Sequence, residues 1–196
     1  MTLRDRVLKR SFDCIAAALG LALLWPLILI SWIIAARDTG ASGFFCQTRV
    51  GQGGKPFQIV KLRTMRDVGG TTITIAHDAR ITHWGRRFRR WKLDELPQLW
   101  NVLLGHMSIV GPRPDVPGYF DRLEGEAARL LQLKPGITGP ATLKYRNEEE
   151  ILANQNDPAA YNEHVIWPDK LRINLEYLDN WTMVRDLQFI LKTLRG

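Results

Sequence analysis

The sequence predicts an α+β fold: a compact, mostly helical body with a small β-hairpin, preceded by an apolar helix kinked at Pro26. Three observations predict it. Cys14 to Ala36 runs for 23 residues without a charge. Phe44–Arg49 and Phe57–Leu62 are strand-like runs on either side of a glycine-rich turn, Gly51-Gln-Gly-Gly54. Beyond them, helix starts and helical spacing dominate. Charged residues make up 24% of 196, which is ordinary globular usage and excludes disordered and collagen-like chains. Two cysteines, at 14 and 46, exclude a disulfide scaffold. No second apolar run exists, so a polytopic membrane protein is excluded as well.

The apolar segment comes first. At 1.5 Å per residue it reaches roughly 34 Å, against about 30 Å of bilayer hydrocarbon, so a plain spanning anchor fits its length. Pro26 stands at the middle, where it lacks an N–H and crowds the carbonyl of Ala22, and a kink is expected there. Arg4, Arg6, Lys9 and Arg10 hold the N-terminus in the cytoplasm, so a span would export the basic body. A re-entrant hairpin keeps both ends on one face. The residues alone leave spanning and re-entrant forms equally open. A signal peptide ranks last, because the stretch exceeds the roughly 7–15 residues of an h-region.

After the hairpin, Arg66 to Thr82 is polar, with Gly69-Gly70 and an alternating Thr72-Ile-Thr-Ile75, and reads as a loop or weak strand. A helix through Trp84, Phe88 and Trp91 puts the three aromatics on one narrow face. Arg86, Arg87, Arg89, Arg90 and Lys92 occupy the rest, the composition of an interfacial helix on an anionic membrane. Tyr119 to Leu133 is patterned as a helix stopped by Pro135-Gly136. Asn147 with Glu150 reads as a capping box, and Asp157-Pro158 and Trp167-Pro168 as helix starts with proline first. Leu171 to Leu194 reads as two consecutive helices. Their Leu187, Ile190, Leu191 and Leu194 can pack on the core, on the membrane or on a second copy, which leaves a homodimer open.

A net charge of +7 favours anionic partners: phosphates, acidic lipid headgroups or nucleic acid. The four histidines, His77, His83, His106 and His164, show no metal-ligand spacing, and no Ser/His/Asp triad is supported. Gly51-Gln-Gly-Gly54 fits no P-loop, and a hairpin turn explains it better. The chemistry concentrates between Trp84 and Pro114. Asp94 and Glu95 can be read as a helix cap and a first-turn acid. They are also bracketed by leucines behind five cations, and half-buried acids among cations mark functional sites. Adjacent helical residues point about 100° apart, so the two carboxylates suit different tasks, one as nucleophile and one as metal ligand. Gly111-Pro112-Arg113-Pro114 presents an arginine on stiff backbone, suited to gripping a phosphate or diphosphate.

Together these residues carry a pattern. Lys9-Arg-x-x-Asp13 precedes an apolar run broken by proline. Gln47-x-Arg49-x-Gly51, Lys61-x-Arg-Thr-Met65, Leu93-Asp-Glu-Leu-Pro-Gln98, Gly111-Pro-Arg-Pro114 and Lys134-Pro-Gly-Ile-Thr-Gly139 follow in order. Over nearly its whole length the chain resembles the bacterial sugar transferases, and within them the small monotopic phosphoglycosyl transferases. The resemblance implies that residues 1–38 form a re-entrant membrane helix with its break near Pro26. Residues 39–196 then form a catalytic domain on the cytoplasmic face of the bacterial inner membrane. It implies transfer of a sugar-1-phosphate from a UDP-sugar to polyprenyl phosphate with release of UMP, and partners that include the phospholipid bilayer but no nucleic acid. Asp94 would attack the sugar-bearing phosphorus, and Glu95 with Asp94 would hold Mg²⁺. Arg89, Arg113, Lys61 and the flanking Pro112 and Pro114 would form the substrate site. Three positions depart from the family pattern: Trp25 stands where relatives often carry Ser, Thr142 where many have Gln, and Asn174 where Asp is frequent. The last two bear on substrate identity.

Two other classes compete. A non-catalytic, membrane-anchored basic module that binds acidic lipid or nucleic acid explains the charge, but not Asp94-Glu95 or the two-proline clamp. A UDP-sugar hydrolase would use the same residues with water as acceptor.

Overall fold

A computed structural model describes residues 1–66 and 78–195 of the chain. Its first element, α1 (Leu3–Thr39), extends beyond the apolar run at both ends. Thr2 and Asp5 close a reciprocal capping box at its start, and Gly40 ends it in left-handed backbone at φ 72°. The helix continues through Pro26, whose φ is already helical and whose missing N–H forfeits one bond. Asp13, Ala17, Ser31 and Ala35 are buried at helical spacing, while Leu19, Leu23, Trp25, Leu27, Leu29 and Ile30 are exposed. Ala17 packs with Ile59, Val102 and Met107, and Ala35 with Leu62 and Phe88. Both halves of α1 therefore lie on the same body, and small residues on the inward face allow the close approach.

The expected hairpin is present. Strands β1 (Phe44–Val50) and β2 (Pro56–Leu62) pair antiparallel, with Phe44 opposite Leu62 and Val50 opposite Pro56, around a 3₁₀ turn at Gln52–Gly54. The loop or weak strand expected after it lies, for residues 67–77, outside the described residues. At its margins Met65 bridges Ile81. Thr82 caps the next helix, α2 (His83–Arg90), by accepting the Gly85 amide. Of the three aromatics expected on one face, Trp84 and Phe88 do pack, with ring centroids 6.1 Å apart, but Trp91 does not join them. Phe88 is buried in the core, Trp84 lies at the surface, and Trp91, outside the helix, is 60% exposed.

A 3₁₀ turn at Leu93–Glu95 leads into α3 (Gln98–Leu104). A second sheet follows that the pattern did not predict. Strands β3 (Ser108–Val110) and β4 (Gly136–Thr138) are parallel, pairing Ser108 with Gly136 and Val110 with Thr138. Three residues per strand are too few to show alternation. Their approach depends on glycine: a Cβ on Gly111 would stand 2.3 Å from the Lys134 carbonyl oxygen, and one on Gly136 2.1 Å from the Gly111 nitrogen. Between the strands, the helix expected from Tyr119 to Leu133 is two 3₁₀ segments, Phe120–Arg122 and Gly125–Gln132. Leu123 in extended backbone separates them.

The C-terminal third is helical: α4 (Pro140–Lys144), α5 (Glu148–Ala153), α6 (Pro158–Tyr161), α7 (Trp167–Asp179) and α8 (Met183–Arg195). Asp157 caps α6 as expected, through the Ala160 amide. Asn147 makes no side-chain cap bond, so the capping box at α5 is absent. Trp167-Pro168 is not a fresh start either, since a π turn at Asn162–Ile166 joins α6 to α7. The wider turn spares the His164 carbonyl from the Pro168 ring. The main core gathers Val50, Val110, Phe120, Leu130, Leu133, Tyr177 and Leu178, and so ties the hairpin, β3, the 3₁₀ segments and the C-terminal helices together.

Candidate active site

The site forms where the chain turns sharply after α2. Lys92 sits at φ 56°, left-handed backbone that a side chain rarely adopts, and this bend swings Leu93–Glu95 back under the body. Asp94 and Glu95 are both buried in consequence, at 9% and 8% exposure. The capping account fails, because the residue that caps α3 is Pro97 and it offers no side-chain bond. In a 3₁₀ turn neighbouring residues diverge by about 120°, so the two carboxylates meet different surroundings.

Glu95 is the paired acid. Its Oε1 accepts from Arg113 Nη2 at 3.0 Å and lies 4.0 Å from Lys61 Nζ. Burial alone would raise its pKa, but the Arg113 guanidinium, followed by Lys61, outweighs that and holds the carboxyl below its ordinary value. Asp94 is the unpaired one. Its Oδ1 is buried and has no hydrogen-bond partner among the described residues. Desolvation, then the neighbouring Glu95 charge, pushes its pKa up. Lys61, on β2, is lowered to about 8 by burial and by Arg113. Arg113 is raised, chiefly by the Glu95 charge.

Three supports fix this geometry. Asn101 of α3 accepts the Val60 amide at 3.0 Å and donates to the Gln58 carbonyl at 2.7 Å, so it pairs with β2 like a strand residue and sets Lys61 against Glu95. Pro112 accepts the Gly136 amide at 2.7 Å, and the Pro114 carbonyl accepts from Arg49 Nη1 at 3.3 Å. The two prolines thus hold the strap that carries Arg113. Arg49 also donates to Gln47 Oε1 at 2.7 Å, which explains the Gln47-x-Arg49 spacing. Neither Asn101 nor Arg49 was assigned a role from sequence. Arg49 lay in a recognised pattern, whereas nothing in the sequence pointed to Asn101.

Arg89 stands slightly apart. It donates to Thr64 Oγ1 at 3.2 Å and to Glu149 Oε1 at 3.1 Å, and acts on Asp94 through its charge. Of the three departures, Trp25 is 60% exposed on α1. Thr142 Oγ1 and Asn174 Oδ1 are buried without a hydrogen-bond partner among the described residues.

A buried, unpaired carboxylate beside an acid clamped by two cations suits chemistry on a phosphate. The family model described as bacterial sugar transferase matches residues 4–196. The chain belongs to the bacterial sugar transferases. Among similar proteins is the Bacillus subtilis sugar transferase EpsL, 36% identical over 96% of this chain and 86% of its own length. The UDP-glucose:undecaprenyl-phosphate glucose-1-phosphate transferase of Caulobacter vibrioides is 38% identical over 95% of this chain and 68% of its own. The exopolysaccharide production protein ExoY of Rhizobium meliloti is 31% identical over 95% and 83%. Membership decides for a transferase enzyme over the basic binding module. With α1, it also marks this sugar transferase as membrane-associated.

Proposed function

We propose that this sugar transferase moves a sugar-1-phosphate from a UDP-sugar to polyprenyl phosphate, as an early membrane step of exopolysaccharide synthesis. The observation that carries the reading is the inequality of the two acids. A carboxylate oxygen of Asp94 attacks the sugar-bearing phosphorus. The bond from that phosphorus to the bridging oxygen breaks, and UMP departs with the electron pair, leaving an aspartyl-phosphosugar. A phosphate oxygen of the lipid then attacks the same phosphorus and the bond to Asp94 breaks, which regenerates the carboxylate and yields a polyprenyl-diphosphate sugar. Lys61, Arg89 and Arg113 attract the anionic donor and hold it in line with Asp94. The names of the Caulobacter and Rhizobium relatives support the class of donor, acceptor and pathway.

Asp94 and Glu95 suit a divalent cation, since Mg²⁺ is usually held by one or two carboxylates plus substrate phosphates. Asp94, whose Oδ1 has no partner among the described residues, has two carboxylate oxygens, so one could attack while the other met the cation. When bound, Mg²⁺ would neutralise charge on the diphosphate.

The packing of α1 supports a re-entrant form. Ala17 and Ala35 both lie in the core, so each half touches one body on one side of the bilayer, while the exposed leucines between them enter hydrocarbon. The basic N-terminus supports a cytoplasmic location for that side, with the inner membrane as the bilayer. Trp84, under Arg87 at 4.6 Å, and Trp91 lie at the surface among Arg86, Arg90 and Lys92, a composition suited to anionic headgroups.

Intact mass spectrometry of detergent-purified protein with Mg²⁺ and a panel of UDP-sugars, without lipid, tests the reading. A phosphosugar-sized gain is expected on wild type and not on Asp94→Asn, and polyprenyl phosphate should clear it. Equal masses with every donor would overturn it.

A further inference from the structure

One buried polar cluster is left unused by this chemistry. Lys9 of α1 pairs with Asp186 of α8 at 2.5 Å, both side chains being almost wholly buried. The Tyr177 hydroxyl lies 2.7 Å from Asp186 and 3.4 Å from the Val110 carbonyl, and the Trp181 indole donates to Asp186 at 3.1 Å. One helical turn after Lys9, Asp13 is 1% exposed, and its Oδ1 accepts the Ile109 amide at 3.0 Å. Lys9 and Asp13 are the fixed ends of the Lys9-Arg-x-x-Asp13 pattern.

These contacts converge on β3. That strand pairs with β4 through Ser108 and Val110, and its other edge has no strand partner among the described residues. Asp13 meets that edge where a neighbouring strand would. Immediately after Val110 the chain becomes Gly111-Pro112-Arg113-Pro114, with φ locked at both prolines, so a shift at Ile109 passes down the strap to the arginine on Glu95. A buried carboxylate is a poor choice for mere packing, because its desolvation must be offset by a directional bond.

We infer that Asp13 is a positioning residue: through Ile109 it registers the Arg113 strap against Glu95, so the seating of the membrane helix sets the geometry at Asp94. This rests on the phosphosugar reading above. Asp13→Asn keeps an acceptor oxygen for Ile109, and Asp13→Leu removes it. Both are compared in the full chain by the rate of adduct formation per folded molecule and by donor KM and kcat separately. Asp13→Leu should lose about tenfold or more, Asp13→Asn about threefold or less, and Asp13→Leu combined with Arg113→Ala no more than Arg113→Ala alone. Should Asp13→Leu fail to fold, Tyr177→Phe removes only a hydroxyl and should show a smaller loss, again not additive with Arg113→Ala. Losses that multiply with Arg113→Ala, or an Asp13→Leu enzyme with an unchanged rate, would overturn the positioning role alone. A wild type that forms no adduct would overturn the functional reading and this inference with it.

Discussion

Asp94→Asn should stabilise the protein while abolishing its chemistry. In the wild type the carboxylate is buried, its Oδ1 has no hydrogen-bond partner among the described residues, and Glu95 is its sequence neighbour. Lys61, Arg89 and Lys92 attract the charge, yet desolvation and Glu95 prevail and the pKa is raised. The ionised form is therefore the costly one. Asparagine keeps the shape and the acceptor oxygen but removes the charge, and relief of that charge's desolvation and of its repulsion by Glu95 is worth about 1–3 kcal/mol. For a chain of this size that is an increase in Tm of roughly 2–12 °C. The pH dependence has a definite sign. A raised folded pKa means that the penalty is absent in acid and grows as pH rises through that pKa. The gap between variant and wild type should be largest above the raised pKa and close as pH falls toward the ordinary Asp value of 3.8. Tryptophan-fluorescence melts of detergent-solubilised protein at several pH values measure it. An Asp94→Asn protein melting at or below wild type at every pH, or a gap that widens in acid, would refute the argument that Asp94 is held at a cost to the fold.

Three further outcomes are expected. Lys61 titrates near 8 in the folded chain, and its charged form attracts the donor, so kcat/KM for the UDP-sugar should fall as pH rises through about 8, and Lys61→Arg should flatten that limb. Gly111→Ala puts a Cβ 2.3 Å from the Lys134 carbonyl oxygen and must push β3 and β4 apart, with a loss of about 2 kcal/mol or more in denaturant unfolding and of most adduct formation. Phe88→Ala empties a site that is 2% exposed, where α2 meets Ala35 and Leu62; it should cost about 3–5 kcal/mol in the same unfolding assay and leave the C-terminal half of α1 open to proteolysis.

Much of this protein was legible in its sequence because the signals are local. The uncharged run, the hairpin with its glycine turn, the Asp157 cap and the two final helices each follow from residues a few positions apart. Asp94, Glu95, Arg113 and Lys61 stood out by type and company, and the structure does bring these four together. The failures have local reasons too. Helical spacing from Tyr119 to Leu133 was overridden by extended backbone at Leu123, and the aromatic stripe of α2 was split because the helix ends before Trp91.

What chain order alone cannot express is which acid is paired. Asp94 and Glu95 are neighbours in sequence, and only the bend at Lys92, the strap carrying Arg113 and the Asn101-braced strand carrying Lys61 make them unequal. The same holds for α1. Its composition sends it to a membrane whichever way it lies, while the burial of Ala17 and Ala35 in one body ties its two halves together. Hydrophobicity and turn chemistry act over a few residues and can be read along the chain. Ion pairing and burial depend on groups far apart in sequence, and so they exist only once the fold has closed.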